Sequence, residues 1–428
     1  MRVKTVQINW HDKLPIFSVD FDRNYKCEAG GWRFASGGGD NNVRLWRLKP
    51  QHERDADPHS PAVEFLASLN RHQRPVNIVR FSPVSSTLAS AGDDGVIMLW
   101  HQVEAARQNL VETDGFVEPE TWRPVRMLRG SLADICDLAW SPCGRYIASA
   151  SVDNTARIWD AGEGRCIQVL ADHTHYVQGV AWDPLGEFIV TQGSDRSMRV
   201  YRWVATGDVK PGADAVSLVA THQSMPADSS EPNARGHRLF HDDNLASFFR
   251  RPAFSPDGRL VATAAGVQKH RRNCCYLWAR DRLHAPPCVA LAGHTKPVVA
   301  TRWAPCAFQA ESAGWLANNG QRMMLAVASQ GAVAIYDTSR CAALALMGGL
   351  HYAMITDLAW TSDGSHLLIS SIDGFASVVA IDQPSPPMPV QSHYRENILP
   401  AQPVQPVVQP PVRSKEKKRV APTLVSTL

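Results

Sequence analysis

Two sets of residues in this chain have the composition of a hydrolase triad. They are His72, Ser90 and Asp94 and, at the same spacing, His173, Thr191 and Asp195. A hydroxyl beside an imidazole that a carboxylate orients is the arrangement of nucleophilic acyl transfer. An active site is normally single, however, whereas this set recurs along the chain. The recurrence favours a structural hydrogen-bond network that holds together one unit of a repeat.

The repeat is defined by an aromatic residue that closes a short apolar strand seven times. These aromatics are Phe21, Phe81, Trp140, Trp182, Phe254, Trp303 and Trp360. A His lies nine residues before four of them, an Asp lies 22 residues after the His position, and another strand ends six residues later. Other residues in this register are His294, His351, Ser149, Asp153, Asp373, Trp100 and Trp159. A period of roughly 40 to 60 residues with such turns predicts a propeller of four-stranded blades and resembles the WD repeat.

Three repeats depart from this register. Ser131 takes the place of the His in the third repeat, which should weaken its network. In the fifth and sixth repeats, Arg272 and Gln330 stand where the turn Asp is expected. The boundaries of these two blades are therefore the least defined by the sequence.

The two ends of the repeat array predict how the ring closes. Residues 2–9 alternate apolar and polar side chains, and the last repeat lacks an outermost strand before the prolines begin. We expect residues 2–9 to supply that strand, so that residues 1–381 form an all-β, seven-bladed propeller without an open sheet edge. After residue 381 lie ten of the 29 prolines and none of the 13 tryptophans. This composition predicts a disordered C-terminal tail, with a Pro-rich linker at 382–412 and a short linear motif at 413–428.

Composition excludes several classes of protein. No apolar stretch has the roughly 18 residues of a membrane span, and the amino terminus lacks the apolar run of a signal peptide, so a soluble intracellular protein is expected. Residues 1–381 hold 38 basic and 38 acidic side chains, and a neutral propeller is not expected to bind DNA strongly. No nucleotide-binding or zinc-binding spacing occurs, so we expect no cofactor and no metal, and nine reduced cysteines.

One segment between blades four and five is not explained by the repeat. It runs from residue 238 to 258 and contains an acidic, an aromatic and a basic pair, which are Asp242, Asp243, Phe248, Phe249, Arg250 and Arg251. The pairs fit either a packed loop whose phenylalanines plug the blade or a partner-facing surface with Arg250 and Arg251 at its rim.

The end of the chain is the second unexplained segment. Its basic cluster, KEKKR, fits a nuclear localisation signal or a loose nucleic-acid contact. A β-prone run follows at once, however, which favours a peptide that adds a strand to a partner's sheet. The residues of this motif are Lys418, Arg419, Val420, Pro422, Thr423, Leu424 and Val425.

Several phrases together resemble a known family. RHQRPVNIVRFSP, GDDGVIMLW, SASVDNTARIWD, YVQGVAWDPLG and FHDDNLASFFRR make residues 1 to about 381 similar to the WD-repeat middle subunits of chromatin assembly factor 1. YVQGVAWDPLG and FHDDNLASFFRR distinguish this family from generic WD-repeat proteins. The WD-repeat subunit of the replication-independent histone regulator complex is the nearest alternative.

The resemblance implies a non-catalytic nuclear scaffold for nucleosome assembly. Its implied partners are the large subunit and the small, histone-binding WD-repeat subunit of the factor, with core histones contacted indirectly. In that family a tail motif like that at 418–425 binds the anti-silencing histone chaperone. Two alternatives remain: a substrate receptor of a ubiquitin ligase, which would be indifferent to the tail motif, and an enzyme, which would need an acid/base cluster outside the repeat.

Overall fold

Seven antiparallel sheets of four strands each make up the fold. The computed structural model describes residues 1–26, 30–50, 62–103, 118–131, 133–204, 215–225, 236–310, 320–340, 342–381 and 386–390. Within these ranges the helical segments are two short 3₁₀ turns, η1 (Lys269–Arg271) and η2 (Arg280–Arg282). None of the described helices is long and apolar enough to cross a bilayer.

Each sheet is one blade, with four strands that follow one another from the inner to the outer edge of the ring. From the inside outwards, blade one consists of β2 (Ile16–Phe21), β3 (Trp32–Gly38), β4 (Val43–Leu48) and β5 (Val63–Leu69). Blade two is β6 (Val76–Phe81), β7 (Leu88–Gly92), β8 (Val96–Val103) and β9 (Thr121–Arg129). Blade three is β10 (Ile135–Trp140), β11 (Tyr146–Ser151), β12 (Ala156–Asp160) and β13 (Arg165–Leu170). Blade four is β14 (Val177–Trp182), β15 (Phe188–Gly193), β16 (Met198–Trp203) and β17 (Val216–His222).

Blades five and six are less regular, and blade seven combines strands from both ends of the described propeller. Blade five is β20 (Ala253–Phe254), β21 (Leu260–Val267), β22 (Asn273–Ala279) and β23 (Val289–His294). Blade six is β24 (Val298–Trp303), β27 (Met324–Ser329), β28 (Ala332–Asp337) and β29 (Ala342–Gly348). Blade seven is β30 (Ile355–Trp360), β31 (His366–Ser371), β32 (Ala376–Ala380) and β1 (Arg2–Val6). Two small hairpins lie beside blades five and six: β18 (Ser224–Met225) with β19 (His237–Arg238), and β25 (Phe308–Gln309) with β26 (Gln321–Arg322).

The ring is closed by the first strand of the chain. β1 pairs antiparallel with β32, in register from Arg2 opposite Ala380 to Val6 opposite Ala376. The first and last described strands of the propeller thus share one sheet, and the inner strands of blades one and seven, β2 and β30, lie side by side. Closure of this kind covers the free edge of β32 and the outer blade faces that an open array would expose.

Inner strands are apolar and almost entirely buried because a neighbouring blade covers each of their faces. β6 (VNIVRF) and β14 (VQGVAW) have no exposed residue. Six of the seven inner strands also shift register at the same point, where one residue is left unpaired. Such a bulge re-aims the following side chains, and here the residues after it include Ser18, Asp137, Gly179 and Asp357.

The recurring tryptophans join one blade to the next. Trp140 Nε1 donates to the carbonyl of Arg80 at 3.0 Å, and Trp303 Nε1 donates to that of Ala253 at 3.2 Å. Trp360 Nε1 repeats the bond to Arg302 at 3.0 Å. The acceptor in each case is the residue just before the corresponding aromatic of the preceding blade. The aromatic of the repeat therefore fixes the stagger between neighbouring blades as well as filling their interface.

The start of the predicted linker is an exception to the expectation of disorder. Met388 and Ala307 exchange two backbone hydrogen bonds of 2.8 and 3.1 Å, and Gln321 donates to the carbonyl of Pro389 at 3.0 Å. Val390 packs against the apolar cluster between blades five and six. Residues 386–390 thus lie against blade six because the β25–β26 hairpin offers backbone and side-chain partners to a segment whose prolines can still accept hydrogen bonds. These five residues of the predicted linker therefore have defined contacts with the ring.

The described cysteines are free thiols. Cys136, Cys274, Cys275 and Cys306 are buried, Cys143 is exposed, and Cys166 and Cys288 are half-buried. Burial raises the pKa of the Cys306 thiol to about 11, which keeps it protonated and unreactive at neutral pH.

The interblade hydrogen bonds give the first testable prediction. Replacing Trp360 by Phe keeps most of the ring but leaves the carbonyl of Arg302 without its indole donor, which should lower the free energy of unfolding by about 1–2 kcal/mol. Urea denaturation measures this change. Trp182 is the matched control, because its buried Nε1 has no hydrogen-bond partner, and Trp182→Phe should cost clearly less. Equal losses in the two variants would show that the indole bond does not connect the blades.

Candidate interaction site

The triad-like residues are joined into buried networks within each blade. In blade two, His72 contacts Asp94 Oδ2 through Nδ1 at 2.8 Å and Ser90 Oγ through Nε2 at 2.7 Å. Trp100 Nε1 donates to the same Ser90 Oγ at 2.8 Å. Ser90 is fully buried, so its hydroxyl has no access to a substrate. The geometry ties β7 and β8 to the segment that precedes the inner strand and offers no exposed nucleophile.

Blade four repeats this arrangement. His173 contacts Asp195 at 2.9 Å and Thr191 Oγ1 at 2.7 Å. Burial alone would raise the pKa of Asp195, but the hydrogen bond and the charge of His173 outweigh it and hold that pKa far below its usual range. The carboxylate is therefore ionised at neutral pH and fixes the turn that it bonds.

Blade one contains a His that the nine-residue spacing missed. His11 contacts Asp40 at 2.6 Å and Ser36 Oγ at 2.8 Å, and Trp46 Nε1 donates to Ser36 at 2.9 Å. His11 lies ten residues before Phe21 instead of nine. The following residues, 12 and 13, adopt positive φ angles of 52° and 64°, and such a compact turn accommodates the additional residue. The spacing from the serine to the aspartate and the tryptophan was the signal that could have revealed it.

The networks of blades three and seven differ from the pattern. In blade three, where Ser131 replaces His, Trp159 still donates to Ser149 at 2.8 Å. The carboxylate of Asp153 is bound instead by Arg157 at 2.6 Å. In blade seven, the ring of His351 contacts Asp373 at 3.1 Å, but its other nitrogen contacts Ser377 of β32 at 3.1 Å instead of a hydroxyl of β31. In blade three, an arginine thus makes the contact to the Asp carboxylate that the missing imidazole would have made.

Blades five and six retain only parts of the network. In blade five Trp278 donates to Thr263 at 3.1 Å. In blade six the ring of His294 contacts the hydroxyl of Tyr336 at 3.2 Å, and burial lowers the pKa of this His to about 4. These blades depend more on their apolar interface.

Four charged side chains from four blades meet at the axis of the ring. Arg80 and Arg251 contact Asp357 Oδ2 at 2.8 and 2.9 Å, and both lie 3.7–3.8 Å from Asp137 Oδ1. All four are buried. Burial would raise the pKa of Asp357, yet the two guanidinium groups hold it far below its usual range. For Asp137, burial prevails and raises the pKa.

Arg251 is also fixed by backbone carbonyls from three other blades. Its guanidinium donates to the carbonyls of Phe17 at 3.2 Å, Thr356 at 3.0 Å and Asn77 at 2.9 Å. Its backbone carbonyl accepts from the amide of Thr301 in blade six. One residue thus bonds to blades one, two, six and seven and forms an ion pair with blade three.

Arg250, the residue before Arg251, adds a contact to blade four, the one blade that Arg251 does not reach. The backbone amide of Arg250 donates to the carbonyl of Gln178 in blade four at 3.1 Å, and its guanidinium donates to the carbonyl of His241 at 2.7 Å and to that of Asp242. Gly179 makes this approach possible, since a Cβ there would lie 1.9 Å from the carbonyl oxygen of Arg250. The segments YVQGVAWDPLG and FHDDNLASFFRR, which distinguish this chain from generic WD repeats, therefore meet where Gly179 lies against Arg250.

These contacts correct one of the two sequence interpretations of the 238–258 segment. Arg250 and Arg251 are buried and do not lie at the rim of an exposed surface. The reason is that axial carboxylates and carbonyls compensate the loss of water around the Arg251 guanidinium, and the carbonyls of His241 and Asp242 do so for Arg250. Phe249 is buried as well, with the Arg251 guanidinium 4.1 Å from its ring.

The remaining residues of this segment reach the surface. Phe248 is 37% exposed and lies against Phe249 with ring centroids 5.5 Å apart. Asp242 pairs with Arg196 at 2.8 Å, and Asp243 is exposed.

The turn face is the side of the ring where the inner strands begin, which also carries turns such as Asp93–Gly95. Phe248 and Phe249 form one wall of a cavity of about 220 Å³ on that face.

Other predicted sites have less support from geometry. The tail motif at 418–425 lies outside the described residues. No group of three or more potential metal ligands occurs in the described ranges.

On the face opposite the turn face, the axis opens into a cavity of about 380 Å³ at whose inner end lie Arg80, Asp137 and Arg251.

Comparisons with known proteins agree on one group. The profile of the CAF1B/HIR1 beta-propeller domain matches residues 1–385. The chain is 35% identical to a chromatin assembly factor 1 subunit of Gallus gallus, over 93% of this chain and 71% of that protein. It is 36% identical to the corresponding subunit of Saccharomyces cerevisiae, over 89% of this chain and 86% of that protein. Protein HIRA of Oryza sativa is 31% identical, over 85% of this chain but 36% of that protein.

Asp195 predicts how stability depends on pH. Its folded-state pKa lies below that of about 3.9 in an unfolded chain, so the stability it contributes is present above pH 4 and is lost as the pH falls towards the folded value. Asp195→Asn should lower the free energy of unfolding at pH 7 by about 2 kcal/mol, and the deficit should shrink below about pH 4. Urea denaturation across this range tests it. Asp243→Asn is the control, expected within about 0.5 kcal/mol of the parent. A deficit that is independent of pH would contradict this role of the carboxylate.

The close approach at Gly179 predicts how much stability is lost when the backbone around Arg250 is moved away from blade four. Gly179→Ala would place a methyl group against the Arg250 carbonyl, and the necessary backbone shift should destabilise the fold by about 2 kcal/mol or more. Gly348→Ala is the matched control, because its nearest neighbouring atom is 3.9 Å away. Thermal unfolding compares the two variants. If both behave like the parent, the close approach at Gly179 is not required by the fold.

Proposed function

The chain belongs to the CAF1B/HIR1 β-propeller family, and from this membership we propose that it is a non-catalytic propeller subunit of chromatin assembly factor 1. The observation that carries the proposal is the 35–36% identity to subunits of that factor over about nine tenths of this chain. The match to Protein HIRA covers about a third of that protein at lower identity, which favours the assembly factor over the histone regulator complex.

The geometry supports a scaffold in preference to an enzyme. The His, Ser or Thr, and Asp sets are occupied by bonds within their blades, and the hydroxyls of Ser90 and Thr191 are buried. The axial charges neutralise one another. A rigid ring of this kind presents loops at fixed positions for other subunits to bind. We propose that its partners are the large and the small, histone-binding subunit of the factor and that it acts in the nucleus.

We further propose that the tail recruits the anti-silencing histone chaperone with its histones. Lys418 and Arg419 supply charge for a partner carboxylate, and the run from Val420 to Val425 suits addition of a strand to a sheet edge. Tethering the motif to the ring by a linker raises the local concentration of the recruited chaperone. Core histones are then contacted through that chaperone.

Affinity purification tests the tail. The double variant Arg419→Ala, Val420→Ala should recover the large subunit as the parent does but lose most of the donor chaperone and histones, since the ring is unchanged. Val412→Ala, Arg413→Ala is the matched control, with the same residue types removed just before the contact residues 418–425, and should recover all partners. Equal recovery of the chaperone with all three proteins would show that the motif is not its binding site. Loss of the large subunit from the parent itself would instead contradict the assignment to the factor.

A further inference from the structure

The cavity on the turn face combines an aromatic wall with two carboxylates. Phe248, Phe249 and Met354 line its apolar side, and Asp93 and Asp134 line the other. No basic side chain lines it among the described residues, and neither carboxylate forms an ion pair with a described residue. The cavity therefore has an acidic side next to an apolar one, with no basic side chain in its described lining.

The aromatic wall is held in place from beneath. The ring of Phe249 lies over the Arg251 guanidinium and edge-to-face with Phe17, whose ring centroid is 6.2 Å away. Arg251 is itself fixed by the carbonyls of three blades. Phe248 lies edge-to-face on Phe249 and exposes part of its ring to the cavity. The wall is thus preorganised, and little conformational entropy would be lost when a ligand packs on it.

The acidic side is oriented by a buried amide. Asn77 donates through Nδ2 to Asp93 Oδ1 at 2.6 Å and to the carbonyl of Ile135. Partial burial and the nearby charge of Asp93 raise the pKa of Asp134, an effect that Arg74 offsets in part. Two carboxylates that line the same cavity favour a cation between them.

We propose that this cavity binds an arginine side chain of a partner polypeptide, with its guanidinium towards Asp93 and Asp134 and its stem and planar group against Phe248 and Met354. Arginine fits better than lysine because its planar fork can face two carboxylates while it stacks on an aromatic ring.

The surroundings of the cavity favour a polypeptide over a free small molecule. Tyr352, two residues before Met354, is fully exposed, and Leu14 and Phe375 are exposed on the same face. Exposed apolar side chains around a charged pocket are typical of protein interfaces. Residues that flank the arginine in the partner would cover them. This site is independent of the tail motif and of the proposed subunit function.

Methyl NMR of the full chain tests the site directly, with the Met354 methyl group as the reporter and Met354→Leu to assign it. Titration with N-acetyl-arginine amide should shift this signal to saturation, whereas N-acetyl-citrulline amide, which has the same shape without the charge, should not. Asp93→Asn, Asp134→Asn should weaken arginine binding by about tenfold or more, and Phe248→Ala should weaken it without changing the charge. A peptide with leucines beside the same arginine should bind more tightly than the amide.

The control is Asp243→Asn, which removes an exposed carboxylate of the same face that does not line the cavity. If it weakens binding as much as the cavity variants, the attraction is a general property of the face and the proposed site is wrong. Equal shifts with arginine and citrulline, or a leucine-flanked peptide that binds no better than the amide, would also overturn it. So would binding that appears only when Lys415, Lys417, Lys418 and Arg419 are all changed to Ala, since the occupant would then be the chain's own tail.

Discussion

The ion pair between Arg251 and Asp357 at the axis is the interaction on which the closed ring depends. A propeller buries its inner strands against one another, and any charge at the axis loses its water. Such a charge is tolerated only when partners surround it. Arg251 has Asp357, a second carboxylate on Asp137 and carbonyls from three blades. Because Arg250 adds a bond to blade four, two consecutive residues just before blade five are joined to every other blade.

The architecture separates repeated residues from residues that occur once. The His, Ser and Trp networks act within single blades, and the indole bonds act between neighbours. Neither kind of bond can set the diameter of the ring, because each joins residues of at most two blades. The 238–251 segment, which belongs to no repeat, reaches the axis and contacts all of them. The same segment supplies the aromatic wall of the turn-face cavity, so the feature that closes the ring also shapes its surface.

Features of this structure were predictable from the sequence when they depend on residues close together in the chain, and were not when they depend on residues far apart. The seven aromatics, the turns and the fold class were predicted and confirmed because they depend on local periodicity and turn chemistry. His11 was missed because one additional residue in a turn disturbs a fixed spacing. The burial of Arg251 could not be predicted, since Arg80, Asp137 and Asp357 are distant in sequence and meet it only when the ring closes. Residues 386–390 were assigned to a linker for the same reason, as their partner Ala307 lies in blade six.

A double-mutant cycle between Arg251 and Asp357 tests the central claim most directly. Urea denaturation of Arg251→Met, Asp357→Asn and the double variant gives the coupling free energy between the two side chains. We predict that each single change costs about 3 kcal/mol or more, because it removes one partner of a buried charge, and that the double variant recovers at least about 1 kcal/mol of the summed loss. Additive losses would contradict this prediction and would mean that the axial charges do not hold the ring together.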